Sequence, residues 1–352
     1  MPSATWQCPA GPPNYYLTIL HSIGFFSVPI NFLCIYLVWF HTPKDSKFRY
    51  CLLYVQIVAF FVEIDMSWVC PGYYLFPMMG GYNIAITSKI FSGHQNTVAL
   101  LGITVVSVFG AFKFCFELPS LLLCFIYRQN AAADLDQKFK LNRYFINSVI
   151  ATCHTFPFVI AFCLLESGLS HQEMLKIVAT DWPKCMHVFE NEGFVIYDPS
   201  GNFWSAAVGI AALAYISIFS LFGAFLGIHT MYILQKVRFH LSRQTYAVHR
   251  TAMINLGLQS LIPTVCIIIP FNFIFLVVYN DWWQFQEIAT NTLFVMAAHS
   301  MVSSTVLILS NRRFRSLIVE KFENFSKPFL YTIPVEATTV RISPNTTILP
   351  RN

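Results

Sequence analysis

Apolar residues run through this chain in long, nearly uninterrupted blocks, not in the alternation of a half-buried strand. Seven blocks are long enough and poor enough in charge to cross a bilayer as helices: residues 15–40, 50–70, 97–127, 144–165, 203–234, 249–279 and 287–310. A span needs about 20 mostly apolar residues. None of the blocks repeats apolar and polar residues with a period of two, which excludes a transmembrane β-barrel. Pro29, Pro119, Pro157, Pro263 and Pro270 fall inside them. Lipid-embedded helices tolerate proline where neighbours re-satisfy the freed carbonyls, so several spans are expected to be kinked. The predicted fold is an all-α membrane protein, a seven-transmembrane helix bundle over residues 15–310.

Composition sharpens the exclusion. Of 352 residues 56% are hydrophobic and 11% charged, against about 25% charged in soluble domains. So few charges cannot coat a protein of this size in water, which rules out an ordinary soluble enzyme. The placement of Lys and Arg adds orientation, because positive loops stay in the cytoplasm. Eighteen of them lie in the first, third and fifth connections and the tail, against Lys89, Lys176 and Lys184 in the alternate set, with Lys113 inside a block. The N-terminus, residues 1–14, is therefore expected outside and the C-terminus inside. This asymmetry accounts for the net charge of +5 without a nucleic-acid partner. Residues 1–14 hold no basic residue and no apolar core, so the first span is expected to act as its own insertion signal.

Charges inside the blocks are the exceptions that need partners, at about 2.5 to 3.5 kcal/mol each in hydrocarbon. They are Glu63 and Asp65 in the second block and Lys113 and Glu117 in the third. On a helical rise Glu63 lies about 21 Å above Arg49 and Lys113 about 22 Å above Arg128, at similar depth. Lys113 and Glu117 also share a helical face. A buried charge network of Glu63, Lys113 and Glu117 is expected, as a structural tie between helices or as a switch bordering a polar pocket. Asp65, nearer the outer end, is the candidate for direct ligand contact, with Glu63 and Lys113 behind it. His299 stands alone in the last block and reads as a hydrogen-bonded interhelical group.

Seven of the ten cysteines fall in or beside the blocks, where cysteine is usually a small apolar packer. Cys8, Cys70 and Cys185 lie on the outer, oxidising side, where a disulfide forms readily. Cys8 to Cys185 is the favoured pairing and Cys70 to Cys185 the alternative; sequence does not fix connectivity. Cys185 sits in a long outer loop, 166–202, with Glu173, Asp181, Glu190, Glu192 and Asp198, which reads as a solvated acidic face or as a lid at a pocket mouth.

Catalytic patterns are missing. There is no His-x-x-x-His pair, no Gly-x-Ser-x-Gly elbow and no phosphate-binding glycine loop, so neither metal, cofactor nor enzymatic activity is expected. The last block contains no lysine for a retinal Schiff base. Sequons at Asn324 and Asn345 fall on the cytoplasmic side and are set aside. After Ser310, Phe314, Leu317, Ile318, Phe322 and Phe325 recur at helical spacing between basic residues. Residues 311–330 thus read as an amphipathic helix on the anionic inner leaflet, and 331–352 as a disordered, phosphorylatable tail.

More specific strings are Phe48-Arg49-Tyr50-Cys51-Leu52-Leu53-Tyr54-Val55-Gln56, Leu75-Phe76-Pro77-Met78-Met79-Gly80-Gly81-Tyr82, and His249-Arg250-Thr251-Ala252 leading to Gln259 and Pro263. With seven helices and an outside N-terminus, they resemble the nematode serpentine chemoreceptors, class I most closely and class H as the sister class. The resemblance covers Cys8 to Arg315. It implies a G-protein-coupled chemosensory receptor in the plasma membrane, placed in sensory cilia, with a heterotrimeric G protein and a small-molecule or peptide ligand as partners. Arg128, Arg238 and Arg250 are then the expected G-protein-facing residues. The chain departs from rhodopsin-like receptors at Tyr127-Arg128-Gln129 and in lacking Asn-Pro-x-x-Tyr. Its exit, Asn311-Arg312-Arg313-Phe314-Arg315, departs from the class I and class H pattern too. The competing reading is a ligand-gated channel or ion transporter, whose path the buried charges would line.

Overall fold

The computed structural model describes residues 8–42, 47–84, 115–191 and 194–330. The apolar blocks fold as helices because only a backbone that satisfies its own hydrogen bonds crosses lipid. They are α1 (Asn14–His41) and α2 (Phe48–Ile64), the latter running into a π-helical turn, Asp65–Val69. Two short strands follow, β1 (Gly72–Leu75) and β2 (Gly80–Asn83), then α3 (Glu117–Ala133) and α4 (Arg143–Glu166). The loop 166–202 carries α5 (His171–Asp181), α6 (Met186–Phe189) and β3 (Val195–Ile196). Next come α7 (Phe203–Lys236), α8 (Arg243–Pro263), a π-helical turn Thr264–Ile268, and α9 (Ile269–Tyr279). The last span is divided into α10 (Gln286–Ala297) and α11 (His299–Ser310).

Among the described residues five helical stretches are individually long and apolar enough to span, and α10 with α11 makes a sixth, bent by 40°. Residues 97–114 of the third expected span lie outside the described residues. Its described part, α3, runs past the expected end at Tyr127 to Ala133. Ala131, Ala132 and Ala133 carry strong helix propensity, and the last two are fully buried. Arg128 is therefore a helical residue and not part of a loop.

The helices close on one another. α1 packs on α2 and α11; α2 on α3; α3 on α7; α7 on α4 and α8; and α8 returns to α11. Large apolar side chains point away from this packing, Phe25, Leu221 and Ile228 among them, each more than 60% exposed. In water such a surface would aggregate; against lipid it is the expected exterior. The break after Pro263 has a local cause. Proline removes a backbone donor, and Pro263 and Pro270 flank the π-turn. Side chains take up nearby carbonyls: Thr264 Oγ1 donates to Ser260 O at 2.8 Å and Asn272 Nδ2 to Ile268 O at 2.7 Å.

The all-α expectation omitted a small antiparallel sheet, ordered β1-β2-β3. Tyr73 pairs with Tyr82, and Gly80 with Ile196. Gly81 is required there, since a Cβ would lie 2.7 Å from the Tyr73 carbonyl oxygen. Residues 311–352 form a separate unit, whose described part is α12 (Arg312–Leu330), with Asn311 Oδ1 accepting from Arg313 N at 3.1 Å as its N-terminal cap.

Candidate functional site

Two groups of residues stand out, a polar node inside the bundle and a cap over the end that carries Cys8. The node gathers around Asn31 of α1, which is fully buried. Its Nδ2 donates to Ser27 Oγ at 2.6 Å and to Glu63 Oε2 of α2 at 3.3 Å. Its Oδ1 accepts from Ser300 Oγ at 2.9 Å and Ser304 Oγ at 2.5 Å, both on α11. One amide thus ties three helices, with both its donors and both its lone pairs used. Ser304 also lies 2.8 Å from Gln56 Oε1. It has one proton for two acceptors, so the second contact is complementary when Gln56 presents its NH2 there.

Glu117 at the start of α3 joins this node through His299. His299 Nε2 is 3.2 Å from Glu117 Oε2, and its Nδ1 is 2.6 Å from the Met296 carbonyl at the bend between α10 and α11. A carbonyl only accepts, so Nδ1 carries a hydrogen. Nε2 would then face a carboxylate with a bare lone pair, unless one proton lies between Nε2 and Oε2. The pair stands at ion-pair distance, and the contact is attractive when a proton is present, as imidazolium with carboxylate or imidazole with carboxylic acid. Both side chains are buried, which makes an unshared charge there costly.

The cap is an apolar cluster of Cys8, Tyr73, Leu75, Tyr82, Met174, Val178, Cys185 and Ile196, packed on Tyr16, Leu20 and Ala297 of the bundle. Cys8 and Cys185 form a disulfide. The expected pairing is therefore the one present, and the Cys70 alternative falls away. Tyr16 Oη donates to Gly72 O at 2.9 Å. Thr290 Oγ1 and Gln286 Nε2 of α10 both donate to Tyr74 O, at 2.9 and 3.1 Å. Burial pushes the Tyr73 hydroxyl up to about 12 and raises Tyr82 and Tyr197 as well, so these phenols stay neutral in physiological water. The loop is ordered by its own chemistry. Ser170 and Glu173 form a capping box at the start of α5, and Asp198 Oδ1 accepts from the backbone of Ser200 and Gly201 at 2.9 Å.

A transmembrane bundle with a disulfide-tied cap agrees with a family model that matches the chain. That model, the serpentine type 7TM GPCR chemoreceptor Sri, covers residues 6–318. The chain belongs to the Sri chemoreceptor family. No curated protein shows significant similarity to it.

Within this Sri receptor the expected charge network changes partners. Lys113 lies outside the described residues. Glu63 and Glu117 are both buried as expected, but the described partner of Glu117 is His299 and that of Glu63 is Asn31. Asp65 is buried at the start of the π-turn, two residues beyond Glu63 and nearer the cap. Of the acidic loop residues, Glu192 lies outside the described residues, and Glu173 is spent on its capping box.

At the other end Arg128 is half-buried with its guanidinium 3.7 Å from the centre of the Phe48 ring. Arg238 sits 5.6 Å from the Tyr246 ring, and both Arg238 and Arg250 are exposed. Sequence reasoning missed Ser27, Asn31, Gln56, Ser300 and Ser304. The signal was available as polar residues recurring four or seven apart on otherwise apolar helices: Ser27 and Asn31, Gln56 and Glu63, Ser300 and Ser304.

Proposed function

We propose that this Sri receptor binds a small extracellular ligand at the cap and signals through a heterotrimeric G protein at the plasma membrane. The observation that carries the reading is the tie between the cap and the upper half of the bent span, Thr290 and Gln286 to the Tyr74 carbonyl. A ligand that displaces β1 pulls on α10. α10 meets α11 at the 40° bend, where His299 reaches across to Glu117. A ligand shifts such an equilibrium only by its differential affinity for two arrangements of the bend. The polar node, where Ser304 faces both Asn31 and Gln56, is the element whose hydrogen bonds would exchange with that choice. Asp65, Glu63 and Lys113 are the proposed polar contacts below the cap. Arg128, Arg238 and Arg250 are the proposed G-protein face.

The test is a response screen of expressed receptor against volatile and water-soluble panels, read by nucleotide exchange on added G protein. A saturable response that falls in Thr290→Val supports the reading. Ligand-gated current from purified receptor in bilayers lacking G protein would overturn it in favour of a channel.

A further inference from the structure

A groove of about 580 Å³ opens on the lipid-facing side of α1 and the α2 π-turn, lined by Thr18, His21, Ser22, Phe25, Phe26 and Trp68. Its two ends differ in chemistry. Thr18, His21 and Ser22 lie in the first turns of α1, near the outer interface. Phe25 and Phe26 follow about 5 Å deeper, edge-to-face at 5.5 Å. Trp68 forms the facing wall. Its indole packs on the bare backbone of Gly24, where a Cβ would stand 2.7 Å from Nε1.

The polar end has spent its donors. His21 Nδ1 is 2.9 Å from the carbonyl of Ser67. Its regular helical donor would be the nitrogen of Pro71, which carries no hydrogen. Nδ1 therefore holds the ring proton, and in the neutral ring Nε2 is an open lone pair. Ser22 Oγ donates to Thr18 O at 2.7 Å, Thr18 Oγ1 to Asn14 O at 3.5 Å, and Trp68 Nε1 to His21 O at 3.4 Å. What remains toward the groove is a set of acceptors above an aromatic floor.

We propose that this groove is a binding site for a membrane sterol, whose single hydroxyl donates to His21 Nε2 while its fused rings lie along Phe25, Phe26 and Trp68. An acceptor-only rim disfavours phosphate and carboxylate headgroups, which bring further acceptors and no hydrogen to donate. A rigid ring system also loses less conformational freedom on settling there than an acyl chain does.

The experiment uses purified full-length receptor in nanodiscs with a photoreactive cholesterol analogue. Crosslinked residues are mapped with and without competing cholesterol or its 3-O-methyl ether, which has the rings but no donor. Expected is labelling of the peptides that hold Phe25, Phe26 and Trp68, with cholesterol competing about 3- to 10-fold better than the ether, the value of one hydrogen bond. His21→Leu should abolish that difference. Equal competition by cholesterol and the ether in the unmodified receptor would overturn the proposal, as would labelling spread evenly over the lipid-facing helices. The unmodified-receptor comparison holds even if His21→Leu does not fold.

Discussion

Replacing His299 with leucine strands a carboxylate. Glu117 loses the imidazole 3.2 Å from its Oε2, and the Met296 carbonyl loses the Nδ1 hydrogen at 2.6 Å. Removing one partner of a buried charged pair costs about 3 to 5 kcal/mol, because the remaining charge is uncompensated. Glu117→Leu alone leaves a neutral imidazole with one unmet lone pair, at about 1 to 3 kcal/mol. The double variant His299→Leu with Glu117→Leu removes both polar groups and fills a similar volume. It should be more stable than His299→Leu alone by about 2 kcal/mol or more. The assay follows thermal unfolding of purified receptor by a thiol-reactive dye, since Cys34, Cys124 and Cys153 are fully buried and become reactive only on opening. If the two single losses simply add in the double variant, the contact between His299 and Glu117 contributes nothing and the reasoning fails.

Three further outcomes follow from the cap. Cys8→Ser and Cys185→Ser should each reduce surface expression, by the about 2 to 4 kcal/mol typical of a disulfide, with the double variant no worse than either and Cys70→Ser retaining expression; additive losses would contradict the bridge. Thr290→Val should weaken the hold on Tyr74 O by about 0.5 to 1.5 kcal/mol and speed hydrogen exchange in β1 without changing α4; unchanged exchange in β1 would show that the tie is idle. Glu173 is held below its ordinary value of 4.5, first by the Ser170 hydroxyl and then by the Ser170 backbone N–H. A depressed carboxyl contributes stability above its unfolded pKa and loses it as pH falls through the folded one, so amide protection in α5 should drop below about pH 4.5 and stay level there in Glu173→Ala.

The spans were legible because lipid rejects charge, and blocks such as 203–234 contain no Asp, Glu, Lys or Arg. The cap was harder to read. β1 and β2 are four residues each and their pairing depends on Gly81 admitting the Tyr73 backbone, with Gly80 leaving room for the Phe194 ring, a demand that leaves little trace in hydropathy. In the node, Glu63 and Glu117 announced themselves by charge. Asn31 did so only weakly: its spacing of four from Ser27 marks a polar face, but a neutral amide does not reveal its partners on α2 and α11. His299 was recognised as interhelical but not matched to Glu117. That pairing depends on the bend at Ala298, which no proline marks.

A receptor for an extracellular ligand needs one direction in the membrane: the cap must face outward, and Arg128, Arg238 and Arg250 must face the cytoplasm. An epitope placed before Met1 and another after Asn352 measure this in one experiment on cells expressing the receptor. Antibody should reach the N-terminal epitope on intact cells and the C-terminal epitope only after permeabilisation. Labelling of the C-terminal epitope on intact cells would contradict the account.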